Sequence, residues 1–252
     1  MRRTVRIISF LCVAGAAIPV QAQAQSAHTM PDAPPASMPA GHEATPMYYF
    51  FRANRLDYGA SQAGARASWD IDARVGTDEN RLMLKTEGQY VRGKGENAEV
   101  QLLYDRPITE FFDFQVGVRQ LFVPVGRTYF AIGVQGILPW FIDTEATLFV
   151  SSKGQATARV KAAMDWAWTG QIYSRPSIEL NAYSSDDPQA GTYAGMGTMK
   201  LALQTRYQVT SQVAPYVEIG WEKAFGQTGN ALRQAGERSD AAYAVVGVRL
   251  LY

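Results

Sequence analysis

Polar and apolar residues alternate along almost the whole chain from Tyr48 to Tyr252. Between residues 156 and 168 every second residue is apolar, and Arg159 and Lys161 occupy intervening positions. A period of two is the pattern of a β-strand, whose side chains point alternately to the two faces of a sheet. Since no window shows the 3.6-residue period of an amphipathic helix, the pattern predicts an all-β protein.

Twelve segments of this kind follow one another, each about 10–12 residues long. Turn-forming residues separate most of them, as at Gly76–Asn80, Gly93–Gly95 and Asp186–Pro188. The segments begin near Tyr48, Arg66, Arg81, Asn97, Phe111, Arg127, Phe141, Gln155, Gln171, Gly197, Val213 and Asp240. We therefore expect about 12 strands.

The placement of charge separates a membrane barrel from a soluble sandwich or lipocalin, in which strands also alternate. The polar faces carry both signs of charge, as at Arg66, Asp70 and Asp72, and tryptophans lie near the ends of apolar faces. The segments also match the roughly 9–11 residues that cross a membrane as a tilted strand. A polar interior, a lipid-facing exterior and aromatic girdles account for this arrangement. We therefore predict a transmembrane antiparallel up-and-down β-barrel over residues 48–252.

The last segment supports closure of the barrel. Alternation continues through Val248 and Leu250 to Tyr252, and a terminal aromatic on such a strand resembles the assembly signal of bacterial outer-membrane barrels. Hydrocarbon offers no water to satisfy an open sheet edge, so the last strand must pair with the first. We therefore expect the barrel to lie in the bacterial outer membrane, in contact with lipid.

The first 47 residues differ from the rest of the chain. Three arginines precede the apolar run Ile7–Val20, which is shorter than the about 20 residues of a membrane-spanning helix. With the small residues that follow, the run predicts a signal peptide over residues 1–22. Residues 23–47 are rich in Pro, Ala and Ser and lack periodicity, which predicts a flexible arm.

Composition and charge exclude several functions. The chain has 24 basic and 23 acidic residues, without the basic excess of a nucleic-acid-binding protein. Cys12 is the only cysteine and lies in the predicted signal peptide, so no disulfide or thiolate metal site is expected. No histidine follows His42, so a Ser-His-Asp triad cannot form in the barrel. We predict a protein that is not an enzyme, although acid–base catalysis by paired carboxylates stays open.

Four stretches of the barrel region resemble the copper resistance protein B family of outer-membrane proteins. They are Trp69–Tyr90, Ala98–Gln120, Arg127–Lys153 and Ala214–Tyr252, which ends on VGVRLLY. The resemblance implies a role in copper resistance and homeostasis, with copper bound by a methionine-containing periplasmic arm and by the barrel. It implies either that copper is sequestered or that its export from the periplasm is assisted. It also suggests a periplasmic multicopper oxidase as a partner.

The arm contains ligands that suit copper ions. Thioether sulfur suits Cu(I), while imidazole nitrogen suits Cu(I) or Cu(II), so we expect Cu(I) to be preferred. Members of the family often carry a longer arm with many Met and His residues, so the few ligands here argue against high-capacity storage but not against a single site. The candidate ligands are His28, Met30, Met38, His42 and Met47. The alternative is that these residues have no role beyond that of a Pro/Ala-rich linker.

Two further methionines share the predicted interior face. Residues two positions apart share a face, which we call parity. By parity, Met83 lies on the same face as Lys85 and Glu87, and Met196 lies on the same face as Lys200. They are candidates for a second set of thioether ligands in the barrel, and the alternative is that they fill a packed interior.

The predicted interior also carries many charges. Acidic residues there are expected to form ion pairs with basic ones, and the alternative is a strip that attracts cations. The inward carboxylates are Asp70, Asp72, Glu87, Glu99, Asp105, Asp143, Glu145, Glu179, Glu218 and Glu222. The inward basic residues include Arg66, Arg74, Arg81, Arg119, Arg159, Lys161, Arg206 and Arg249.

Two competing functions remain for a barrel of this size. Roughly 12 strands enclose a much narrower interior than the channels of 16–18-stranded porins, so a narrow non-specific channel is one alternative. A structural barrel without a metal role is the other. Whichever function applies, we expect the protein to be a monomer.

Overall fold

Thirteen strand segments form one antiparallel sheet in the computed structural model, which describes residues 46–252. The segments are β1 (Tyr48–Ser61), β2 (Gly64–Gly76), β3 (Arg81–Val91), β4 (Lys94–Pro107), β5 (Phe112–Val123), β6 (Arg127–Leu138), β7 (Ile142–Ser151), β8 (Ala156–Met164), β9 (Trp166–Ala167), β10 (Ile172–Tyr183), β11 (Gly195–Tyr207), β12 (Val213–Ala224) and β13 (Asp240–Leu251). A 3₁₀ helix spans Pro139–Phe141, and helix α1 spans Gly226–Gln234. The predicted signal peptide and the arm up to residue 45 lie outside the described residues.

The sheet closes into a barrel of twelve strands. Neighbours in sequence pair with each other, and β1 pairs with β13. Segments β8 and β9 are one strand, because both continue the same register against β10: Ser177 faces Ala163 and Ser174 faces Trp166. In this register Pro176 lies at the interruption, where it has no N–H to donate to the ladder. The predicted up-and-down barrel of about 12 strands is confirmed.

Apolar side chains of the barrel point outward, and polar ones point inward. In β4, Gln101 and Leu103 are buried, while the intervening Leu102 is exposed. Exposed outward residues on other strands include Leu203, Val217, Ile219 and Val246. A soluble barrel would have the opposite arrangement, so this exterior fits contact with lipid.

A β-bulge in β1 changes which residues face inward. The register of β1 against β2 shifts between Ala53 and Arg55, and its register against β13 shifts between Ala53 and Asp57. The extra residue is Asn54, so Asn54 and Arg55 both direct polar side chains into the interior. Simple alternation along the sequence would place one of these two residues outside.

Interior glycines make room for tyrosine rings. A Cβ atom on Gly220 would lie 2.4 Å from the ring of Tyr243, and one on Gly247 would lie 2.6 Å from Tyr216. Both tyrosines are buried and point inward. The glycines therefore allow large side chains to fill a narrow barrel without clashing with the opposing strand.

The two ends of the barrel differ in the length of their connections. At the terminal end, where Phe51 N donates to Tyr252 O at 2.9 Å, the chain turns between strands within a few residues. The distal end carries two longer connections, residues 184–194 and residues 225–239 with α1. Exposed aromatic residues surround the terminal end: Tyr48, Tyr49, Phe111, Trp140, Phe141, Trp166, Trp168, Tyr207 and Tyr252. Within residues 46–252, no helix has both the length and the apolarity to cross a membrane.

The two distal connections are joined to each other and to the barrel. Tyr193 N donates to Thr228 Oγ1 at 3.1 Å, and Arg127 at the start of β6 forms an ion pair with Asp187. Burial raises the pKa of Asp187, but the hydrogen bond and charge of Arg127 outweigh it and hold that pKa below its usual range. The pair therefore stays ionised at neutral pH and fixes this loop at the distal mouth.

Candidate functional site: the charged lumen

The barrel encloses a cavity of about 1530 Å³, which we call the lumen. Its lining includes Thr109 and Phe111 at the terminal end and Lys94, Gln189 and Glu237 at the distal end. Residues at both ends of the barrel therefore line the same cavity. Parts of the distal connections line it, so these loops narrow the distal mouth.

The centre of the lumen is crossed by a cluster of ion pairs. Arg159 Nη1 and Nη2 donate to Glu99 Oε1 and Oε2 at 2.9 and 3.1 Å. Arg119 also pairs with Glu99, and Arg159 reaches Glu87 as well. Because β3 and β8 are five places apart in the twelve-stranded order, the contacts from β8 to Glu87 cross the barrel and narrow the lumen.

Aromatic and apolar side chains pack beside this central cluster. The Arg119 guanidinium lies 4.4 Å from the centre of the Phe149 ring, and that of Arg159 lies 5.3 Å from it. Phe149 belongs to a buried group with Met83, Leu103, Leu121, Tyr129 and Ala131. Cation–π contacts of this kind are favourable where water is excluded, so one side of the lumen is a packed interior.

A second cluster joins the bulge of β1 to β12 and β13. Arg55 Nη2 donates to Glu218 Oε1 and Oε2 at 2.6 and 2.8 Å. Tyr243 OH donates to Glu218 Oε1 at 2.8 Å, and the Arg66 guanidinium lies 3.9 Å from the centre of the Tyr243 ring. Arg66 also donates to Glu222 at 2.8 Å. The cluster fixes Arg66, which is only 2% exposed.

Two more groups of ion pairs lie towards the terminal end. Arg74 lies 3.1 Å from Asp105, and Arg81 lies 2.7 Å from Asp113. Across the lumen, Asp165 accepts from Arg206 at 2.9 and 2.8 Å and lies 3.1 Å from Arg175. Arg175 also pairs with Asp143.

The predicted inward carboxylates thus lie next to basic residues. Most are within 4.0 Å of an arginine or lysine nitrogen, as a set of structural ion pairs requires. Asp70 is different, because its hydrogen-bond contact is Asn54 Nδ2 at 3.4 Å and no salt bridge to it is present among residues 46–252. Parity predicted which charged residues face the lumen. The sequence had no signal for the bulge that places Asn54 beside these carboxylates.

The candidate copper ligands are not gathered in the described part of the chain. His28, Met30, Met38 and His42 lie outside it, and Met47 is exposed immediately before β1. No group of three or more His, Cys, Asp or Glu residues is arranged for a metal within residues 46–252.

The two interior methionines have different positions. Met83 is 1% exposed, and its Sδ accepts from Gln115 Nε2 at 3.4 Å and lies 3.8 Å from Arg74 Nη2. A guanidinium so close to the sulfur disfavours a cation there, because like charges repel.

The predicted lumenal position of Met196 is wrong. A bulge at Gly197 shifts the register, so Met196 pairs with Ala182. The shift places Met196 on the outward side, where its side chain is 53% exposed. A bulge inserts one extra residue, so counting alternate positions across it assigns the following or preceding residues to the wrong face.

The apolar exterior and the ion-paired lumen define an outer-membrane β-barrel. In keeping with this class, the solved structure of the NanC porin covers 79% of this chain and 98% of its own, with a TM-score of 0.55. At 11% sequence identity this similarity shows a shared fold alone.

The family model for copper resistance protein B precursor (CopB) matches residues 47–252, so the chain belongs to the copper resistance protein B family. The chain is 37% identical over 204 residues to a copper resistance protein B homolog of Pseudomonas syringae pv. tomato. It is 32% identical over 205 residues to copper resistance protein B of Escherichia coli. Each alignment covers 81% of this chain and 69% of the relative. Family and fold together support a copper-resistance role at the outer membrane.

Proposed function

We propose that this protein acts in copper resistance by binding copper through residues 23–47 on the periplasmic side of the outer membrane, where the barrel anchors it. The observation that carries this proposal is the family match over residues 47–252, which includes the whole barrel. The proposed role is binding without catalysis, either to sequester copper or to assist its export.

The chemistry of the lumen favours the arm as the copper site. The described residues contain neither histidine nor cysteine, and the lumenal carboxylates are mostly held by arginine and lysine. The soft and imidazole ligands preceding the barrel are His28, Met30, Met38, His42 and Met47. Thioethers favour Cu(I) over harder ions, so Cu(I) is the proposed form.

The terminal end supports a periplasmic location for the arm. Strand β1 begins at Tyr48 at this end, where the connections between strands are short. Outer-membrane barrels have short turns on the periplasmic side and longer loops outside the cell. Copper held there by a monomer is accessible to a periplasmic multicopper oxidase, the proposed partner.

A narrow channel is the second candidate function. It is favoured by the lumen of about 1530 Å³, whose lining comes from both ends of the barrel. In this case the protein would pass small solutes without binding copper in the arm.

Copper quantification on the purified, refolded full chain distinguishes the two. We expect bound Cu(I) to be lost when the five candidate arm ligands are replaced together, methionine by leucine and histidine by alanine. The matched control replaces two methionines of the barrel, Met83→Leu and Met196→Leu, and should keep the wild-type copper content. Equal copper content in the arm variant and in the wild type would remove the arm as the site.

Growth of a deletion strain tests the physiological role. We expect sensitivity to copper but not to zinc, with rescue by the wild-type gene and not by the arm variant. Equal sensitivity to both metals, or to neither, would favour the general channel instead.

A further inference from the structure

Away from the distal rim, the lumen-lining cations of residues 46–252 are ion-paired, and Arg249 is an exception. Among the lysines and arginines of residues 46–252 that line the lumen, Arg249 lies towards the terminal end and has no carboxylate oxygen within 4.0 Å. The others without such a partner belong to the distal rim: Arg92, Lys94, Lys223 and Arg238. All remaining lumen-lining cations, from Arg52 to Lys200, have an acidic neighbour.

The position of Arg249 explains why it has no protein partner. In β13 it faces Ala214 of β12, whose small side chain offers no acceptor. On the other side, Arg249 faces the bulge of β1 between Ala53 and Asp57, where the basic side chain of Arg55 is already bonded to Glu218. The residues directly beside Arg249 therefore leave its guanidinium facing the cavity without a negative charge.

The carboxylates on nearby strands are already held by other arginines. Asp165 uses both oxygens for Arg206 of β11, which faces Tyr216, the next inward residue along β12 from Ala214. On the other side, Asp72 accepts from Arg52 at 3.2 Å and from Asn54 at 2.8 Å. Arg249 thus lies among cations whose counter-charges are engaged.

We propose that Arg249 is a binding site for a small oxyanion, a carboxylate or inorganic phosphate, that enters the lumen from the terminal end. A guanidinium presents parallel N–H donors that match two oxygens of such an anion. A partly buried cation without a partner is costly, and an anion removes that cost.

Asp70 provides the opposite case within the same lumen. It lines the cavity and has no salt bridge among the described residues. Neutralising it should therefore leave an anion site intact, whereas neutralising Arg249 should remove it. The proposal goes beyond copper binding by the arm, and either can hold without the other.

Ion currents through the full-length protein in planar lipid bilayers test the site. Inorganic phosphate or acetate is added to one side at a time while chloride carries the current. We expect at least one of these anions to reduce the chloride current of the wild type. Arg249→Gln should weaken this block about tenfold or more, since a charge-assisted hydrogen bond is lost. Arg92→Gln removes a distal-rim cation and should behave like the wild type.

The outcomes separate the sources of the anion and can overturn the site. Block by acetate without phosphate assigns a carboxylate, and the reverse assigns phosphate. Equal block in the wild type and in Arg249→Gln would overturn the proposal, as would the absence of any current in the wild type. Weaker block in Asp70→Asn would also overturn it, because the anion would then not be held by unpaired positive charge. A heat-modifiability gel confirms that each variant has folded.

Discussion

Arg159 and Glu99 meet across the interior of the barrel through two parallel hydrogen bonds, at 2.9 and 3.1 Å. Glu99 is 1% exposed, and Arg119 also pairs with it. One carboxylate is thus the shared counter-ion of two buried guanidinium groups. The lumen can hold many charges in a narrow space because acidic and basic side chains pair there, both between neighbouring strands and across the barrel.

Removing the Glu99 charge should destabilise the barrel. In Glu99→Gln, two buried arginines lose their shared counter-ion, and breaking a buried pair costs about 3–5 kcal/mol. We expect that loss in the free energy of unfolding, measured by urea titration of the refolded protein in detergent. Glu79→Gln, in the exposed turn after β2, is the matched control and should change the stability by less than about 0.5 kcal/mol. Similar values for both variants would contradict a structural role for the central cluster.

The outward face should reject charge where it contacts lipid. Val246 and Val209 are similarly exposed, at 62% and 56%, but Val246 lies within β13 and Val209 lies in the turn after β11. Arginine in the middle of the lipid face of a barrel costs about 2–4 kcal/mol. We expect Val246→Arg to lose this amount on folding into lipid vesicles and Val209→Arg to stay near the wild type. An equal effect at the two positions would argue against a membrane-facing exterior.

The glycine beneath Tyr243 should be essential for packing. A Cβ atom at position 220 would lie 2.4 Å from the Tyr243 ring, so the ring must move and its hydrogen bond to Glu218 is lost. We expect Gly220→Ala to destabilise by about 1–3 kcal/mol, the usual range for overpacking. Gly170→Ala has open space around it and is the control. Unchanged unfolding for Gly220→Ala would show that the ring has room to move.

The distal loop should remain fixed from neutral pH down to mildly acidic pH. Because Arg127 lowers the folded-state pKa of Asp187, the pair contributes stability above the unfolded pKa of about 3.9 and loses it as pH falls through the lower folded value. Hydrogen exchange of residues 184–194, corrected for its intrinsic pH dependence, should be slower in the wild type than in Asp187→Asn at pH 7. The difference should vanish only below about pH 4. A difference that disappears near pH 6 would contradict the lowered pKa.

The alternation of residues in the sequence was sufficient to predict the strands and their two faces. Twelve predicted segments correspond to twelve barrel strands, and the predicted start at Arg127 coincides with β6. Alternation works here because lipid and lumen impose opposite demands on successive side chains, so each strand carries its own pattern. The interior charges at Glu99 and Arg159 follow from the same parity.

The tertiary structure decided which charges meet and where parity fails. The bulges at Asn54 and Gly197 each insert a residue, which brings Asn54 and Arg55 inward together and turns Met196 outward. Likewise, Arg249 looks like any inward arginine in the sequence, and its lack of a partner depends on Ala214 in the neighbouring strand. Parity is a property of one strand, whereas partners and bulges depend on the register between strands, which closure of the barrel fixes.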